Sequence, residues 1–245
     1  MLGITVIDGV LFLVTGWLAG WLGGYELAHM IRRENRLTAI LVILMILVTL
    51  TAVALDSLLL IPAALAIFLL VGVFEAVTVP ESQFMRHFVY ALIGSLYIGL
   101  SLGLLIRLRT GENGLMWTLM LFFNNWTTDS LALIGGRLYG KHKLAPTISP
   151  NKTVEGAAIG LTSGFIMGMI VALAGGVALI PAIIINIIVA LATEIGDLIE
   201  SLVKRSLRVK DSGSILPGHG GVLDRMDGTL LAAPTLFILV KLMGI

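Results

Sequence analysis

The chain has 245 residues, of which 58% are hydrophobic and only 13% charged, with a net charge of +1 and no cysteine. A soluble domain carries about 25% charged residues, and the mean hydropathy of +1.02 is far above what a water-facing surface allows, so the bilayer is the solvent for most of the chain. The missing cysteines exclude disulfides, thiolate nucleophiles and Cys-ligated zinc, and so small a net charge makes no case for a nucleic-acid partner.

In chain order, eight stretches offer the roughly 20 mostly apolar residues that a hydrocarbon crossing needs. They are Thr5–Met30, Leu37–Leu55, Leu58–Val79, Phe88–Ile106, Leu115–Gly135, Val154–Gly175, Ala178–Leu202 and Gly228–Met243. The first is long enough to hide a break at Gly23-Gly24, and the last is short, with a start as early as Leu223. No basic n-region precedes the first stretch, so no cleavable leader is expected. Each span is expected to be a helix, because an open backbone in lipid leaves its polar groups unsatisfied. The 28 glycines suit close helix packing. The predicted fold is an all-α, polytopic membrane bundle of eight or nine transmembrane helices. It reads as a single domain over residues 1–245, with N-terminal spans in 1–110 and the motif-bearing half in 111–245.

Lys and Arg in short loops set the orientation. Arg32, Arg33 and Arg36 follow the first span. Arg137, Lys141, Lys143 and Lys152 follow the fifth, and Lys204, Arg205, Arg208 and Lys210 follow the seventh. Alternation puts these three loops together in the cytoplasm and both termini outside, with Arg107 and Arg109 on the wrong side of the scheme.

Acidic residues inside spans are costly and point to function. Asp129 lies in the fifth span, and Glu194, Asp197 and Glu200 lie in the seventh. The last three are spaced three apart, and Ser201 is four beyond Asp197, which puts them on roughly one helical face. Asp224 and Asp227 repeat the spacing where the last helix begins. Hard oxygen ligands on two helix ends suit Mg²⁺, which takes one or two carboxylates plus substrate phosphates. The competing reading is that each acid pairs with Lys204, Arg205 or Arg225. That reading weakens for the group, since so many buried charges are costly if they only hold one another.

Between the acids run Lys204-Arg205, Lys210-Asp211 and Pro217-Gly218-His219-Gly220-Gly221. Gly220 and Gly221 let a backbone bring N–H groups close to an anion, and the Lys and Arg side chains supply charge for phosphates. No Walker A pattern occurs. His219 reads equally as a loop histidine and as a catalyst, and a phosphate contact suits it as well. Ser149-Pro150-Asn151-Lys152-Thr153 reads as a turn into the sixth helix, with Thr153 as its cap and Glu155 in its first turn. Alternatively, Ser149, Lys152 and the helix N-terminus hold a phosphate. Lys141, His142 and Lys143 read as positive-inside anchors.

The 27 positions from Ser201 to Asp227 read S-x-V-K-R, four residues, K-D-x-G, two residues, L-P-x-H-G-G-V-x-D-R-M-D. This resembles the signature of phosphatidate cytidylyltransferases, also called CDP-diglyceride synthetases. The upstream pattern from Trp126 and Asp129 through Lys152-Thr153 to Glu155-Gly156, and the Gly196-Asp197-Leu198-x-Glu200-Ser201 run, are similar to that family too. The resemblance implies an integral membrane enzyme, usually a homodimer, that joins CTP and phosphatidic acid into CDP-diacylglycerol and pyrophosphate. It also implies a cytoplasm-facing polar cavity, in an inner or plasma membrane, with paired Mg²⁺ and K⁺. The family's metal-binding acids map onto Asp197 and Asp224. Asp227 is then expected to complete that shell. Lys204, Arg205, Lys210 and Arg225 would hold the triphosphate or the lipid head group, and Ser149, Lys152, Asp129, Ser201, Gly220 and Gly221 would complete the substrate site. Relatives usually carry a further span before the segment that is Tyr25-Glu26-Leu27 here, so the chain either starts late or merges two spans. Rival expectations are a CTP-dependent enzyme acting on another lipid phosphate, a CTP-dependent polyprenol kinase, and a cation-coupled transporter. No inverted repeat favours the transporter.

Overall fold

A computed structural model describes residues 9–31, 36–57, 60–78, 80–213 and 220–245. Among them are eight α-helices: α1 Gly9–Ile31, α2 Arg36–Ala54, α3 Leu60–Thr78, α4 Glu81–Thr110, α5 Gly114–Tyr139, α6 Val154–Ala174, α7 Leu179–Ser206 and α8 Asp227–Met243. Each expected apolar stretch coincides with one helix. Among the described residues, five segments are long and apolar enough to cross a membrane: Val10–Ile31, Arg36–Ala54, His87–Thr110, Val154–Ala174 and Leu179–Ser206. The chain is an integral membrane protein. Arg32 and Arg33, used for orientation, lie outside the described residues.

The chain divides into two compact units. Among the described residues, one contains Leu108–Ser206 and Met226–Ile245; the other contains those from Gly9 to Arg107 and those within Leu207–Arg225. Most of the signature segment therefore groups with the N-terminal helices.

In the first unit, α5 packs along α6, and α7 packs on α8. The α5–α6 approach follows from a glycine every fourth residue. A Cβ at Gly156 would lie 2.6 Å from the Ala132 carbonyl oxygen, and one at Gly160 would lie 2.6 Å from that of Thr128. Only hydrogen at these positions lets the two backbones come so near, which is how helices gain packing energy in lipid. Buried amides add directional links. Asn124 Nδ2 donates to Asn186 Oδ1 on α7 at 3.2 Å, Asn125 Nδ2 donates to Thr229 Oγ1 on α8 at 3.1 Å, and the Thr193 hydroxyl donates to the Asn125 amide oxygen.

In the second unit α1 packs on α2, and α2 on α3. No break occurs at Gly23-Gly24. Helix α1 runs through both, because a Cβ at Gly24 would stand 3.0 Å from Ile46 and 3.1 Å from Ile43. Gly24 serves close packing against α2, and Gly23 packs against Leu223, 3.0 Å from a Cβ placed there, so neither marks a turn. Arg107, one of the two orientation exceptions, donates to both Asp56 oxygens at 2.7 and 2.6 Å, so its charge is paired.

One element escapes the all-helical expectation. Lys143–Ala145 (β1) and Ser149–Thr153 (β2) form an antiparallel hairpin, with Lys143 opposite Thr153 and Ala145 opposite Ser149. The expected turn over Ser149–Thr153 is thus a strand, and the turn sits at 146–148.

Candidate active site

The hairpin and α6 fix one another. Thr153 has an extended backbone and its Oγ1 accepts from Gly156 N at 3.1 Å, the expected N-cap. Glu155, one residue into α6, accepts from the Lys141 and His142 backbone N–H groups at 3.0 and 3.1 Å and meets His142 Nδ1 at 2.6 Å. The cap and clamp leave Lys152 at the last strand position before Thr153, facing α7.

Lys152 Nζ sits between two carboxylates of α7, 2.7 Å from Glu194 Oε2 and 2.7 Å from Asp197 Oδ2. The three-residue spacing of those acids presents both to one partner. Burial disfavours the ammonium, but the charges and hydrogen bonds of Asp197 and Glu194 outweigh it and hold the Lys152 pKa above the ordinary 10.5. Ser201 Oγ donates to the other Asp197 oxygen at 3.3 Å, as their spacing predicts. Glu200 instead pairs with Lys204 at 3.2 Å.

Lys152, Glu194 and Asp197 open onto a cavity of about 510 Å³, within the usual range for small-molecule sites. Helix α5 contributes Asp129, Gly136 and Arg137; the hairpin contributes Ser149, Asn151 and Lys152; α7 contributes Glu194 and Asp197. Asp227, the first residue of α8, is close enough to interact electrostatically with Asp129 and Asp197. Its Oδ1 accepts from Gly228 N at 2.8 Å. Arg205 Nε donates to the Ile148 carbonyl at 3.4 Å, tying the end of α7 to the hairpin turn. Sequence reasoning flagged Asp129, Ser149, Lys152, Glu194 and Asp197, all of which line this cavity. It took Arg137 only as an orientation signal and passed over Asn151.

In the other unit, Asp224 lies in a 3₁₀ turn, Leu223–Arg225. Its Oδ2 accepts from Ser212 N at 3.0 Å, Ser212 Oγ at 3.0 Å and Gly221 N at 2.8 Å. Gly220 has φ +79°, and a Cβ there would stand 2.8 Å from Asp224 Oδ2, so both backbone and space demand glycine. Gly221 is buried, and its N–H is committed to Asp224. Lys210 and Arg225 are exposed. His219 lies outside the described residues.

The sequence profile described as the Cytidylyltransferase family matches residues 1–243. The chain belongs to that family. It is 45% identical over 153 residues to a phosphatidate cytidylyltransferase of Staphylococcus saprophyticus, a match covering 62% of this chain and 58% of the relative. It is 39% identical over 156 residues to that of Bacillus subtilis strain 168, again over 62% and 58%. To that of Rickettsia typhi it is 40% identical over 156 residues, covering 60% of this chain and 68% of the relative. The chain thus spans 58% of the length of the first two relatives.

The donor chemistry fits a hard divalent cation. Carboxylates dominate the cavity, and Glu194 Oε1 is buried without a hydrogen-bond partner among the described residues. No group of three or more His, Asp or Glu among the described residues forms a metal cage. Mg²⁺ does not need one, since substrate phosphates and water complete its shell.

Proposed function

We propose that the chain transfers a cytidylyl group from CTP to phosphatidic acid, forming CDP-diacylglycerol and pyrophosphate. The observation that carries this reading is the Glu194–Lys152–Asp197 constellation at the wall of the cavity, in a chain of the cytidylyltransferase family. The site works at a membrane, with its polar mouth toward the cytoplasm, and the working unit is a homodimer.

In this mechanism a phosphatidate oxygen forms a bond to the α-phosphorus of CTP, and the bond from that phosphorus to the bridging oxygen of the leaving pyrophosphate breaks. Both reactants are anions, so alignment and charge neutralisation are the main tasks. Asp197 and Asp224 would hold Mg²⁺, Asp227 would orient or complete that shell, and K⁺ would be a second cation. Bound there, Mg²⁺ would neutralise phosphate charge and orient the leaving group. Lys152 holds Asp197 and Glu194 in place and offers its remaining proton to a phosphate oxygen. Lys204, Arg205, Lys210 and Arg225 supply further positive charge, while Ser149, Ser201, Asp129, Gly220 and Gly221 shape the substrate site. The lipid phosphate is already ionised, so no strong general base is required. His219 then serves as a phosphate contact.

The test is incubation of purified protein with labelled CTP, Mg²⁺ and phosphatidic acid, followed by lipid extraction. A labelled CDP-lipid is expected. No labelled lipid with phosphatidate, or faster labelling of another lipid phosphate, would overturn the assignment.

A further inference from the structure

Helix α1 contains one acid, Glu26, and it is 1% exposed. A carboxylate inside an apolar span is costly and calls for a purpose. Its partners supply one. Oε1 accepts from Val222 N at 2.8 Å, and Oε2 accepts from Leu223 N at 2.9 Å and Ser212 Oγ at 3.0 Å. Val222 N and Leu223 N are the donors that the Leu223–Arg225 turn leaves unsatisfied at its start. Glu26 caps that turn from 196 positions away in the chain.

Two signature glycines are explained by the same carboxylate. A Cβ at Gly213 would lie 2.9 Å from Glu26 Oε1, and one at Gly221 would lie 2.6 Å from each Glu26 oxygen. The segment wraps the carboxylate too closely for side chains at either position.

Ser212 links this anchor to Asp224. Its hydroxyl stands 3.0 Å from both Glu26 Oε2 and Asp224 Oδ2. A serine hydroxyl has one proton and can donate to one carboxylate at a time. The two acids therefore share a donor, and Gly221 and Val222, adjacent in the chain, donate one to each.

We propose that Glu26 is a positioning residue: it anchors Ser212 and the start of the Leu223–Arg225 turn and so fixes how Asp224 is presented to the metal-bound nucleotide. The metal clause rests on the function proposed above; the anchoring does not.

The test uses Glu26→Gln in the purified full chain in detergent, read in two ways. A carboxamide has one acceptor oxygen and sets an NH₂ group against a backbone donor. In hydrogen exchange, the Gly221, Val222 and Leu223 amides are expected to exchange about tenfold faster, with α5 and α7 unchanged. In turnover, the Mg²⁺ concentration giving half-maximal rate is expected to rise roughly tenfold, as for other residues that orient a ligand, while KM for phosphatidate stays within about twofold. Unchanged exchange at these amides overturns the proposal. So does uniformly faster exchange in every helix, which marks a merely structural residue. If Glu26→Gln fails to fold, Ser212→Ala decides, with roughly threefold weaker Mg²⁺ response expected and an unaltered response counting against the link. A wild-type chain that makes no CDP-lipid defeats the function reading alone, because the exchange result still judges the anchor.

Discussion

Replacing Lys152 with methionine keeps most of the side chain's volume and removes its charge. The structure sets the cost. Lys152, Glu194 and Asp197 side chains are 19%, 8% and 24% exposed, and both N–O contacts are 2.7 Å. Hydrogen bonds to charged groups contribute about 1.5–3 kcal/mol each, and removing one partner of a buried pair costs about 3–5 kcal/mol. Asp197 keeps some water contact, so about 3 kcal/mol of destabilisation is expected for Lys152→Met. Equilibrium unfolding in detergent measures it. Lys152→Met/Glu194→Gln should recover about 1–2 kcal/mol, because neutralising Glu194 removes one stranded charge. The pH dependence has a definite sign. Lys152 has its folded pKa raised above 10.5, so its contribution is fully present below 10.5 and is lost as pH rises through the folded value. The gap between wild type and variant should stay level from roughly pH 8 to 10 and close above that. A loss under about 1 kcal/mol, or strict additivity of the two substitutions, would refute the ion-triad reasoning.

Asp197→Asn and Asp224→Asn are each expected to abolish CTP- and Mg²⁺-dependent turnover while the chain still folds. Near wild-type formation of CDP-lipid by either variant sinks the metal assignment. Gly160→Val forces bulk to within 2.6 Å of the Thr128 carbonyl and 2.7 Å of Ala132 Cβ. It should destabilise the α5–α6 pair by about 1–3 kcal/mol, seen as a lower unfolding midpoint in detergent; an unchanged midpoint shows that the backbones need no such proximity.

The helices were legible because bilayer thickness fixes the length of apolar run that counts, and all eight expected runs carry a helix. The hairpin was not, since β2 is five residues, Ser-Pro-Asn-Lys-Thr, with no alternation to read. Spacing put Glu194, Asp197 and Glu200 on one face but could not say who answers them. Lys152 is 42 positions from Glu194, and only the fold brings it there, whereas Glu200–Lys204 is a local i,i+4 pair. Glu26 entered only as the middle of Tyr25-Glu26-Leu27 and was not counted among the acids inside spans. Its role depends on a segment nearly 200 residues later, which periodicity within α1 cannot reveal.

The balance of charge at the cavity leads to a demand on the substrate. Beside the cavity three acids, Glu194, Asp197 and Asp227, stand against two cations, Arg137 and Lys152, and Lys152 is already engaged by two of the acids. A bare triphosphate meets a surface that repels it. One uncompensated carboxylate about 6 Å from a phosphate charge opposes binding by on the order of 3 kcal/mol at an effective dielectric near 20. That is roughly a hundredfold in affinity before salt screening, which leaves about tenfold as a conservative expectation. Removing Mg²⁺ with a chelator should therefore weaken CTP binding itself, measured calorimetrically without lipid, and not only slow turnover. CTP affinity that is equal with and without divalent cation would mean that the acids of this wall do not face the triphosphate.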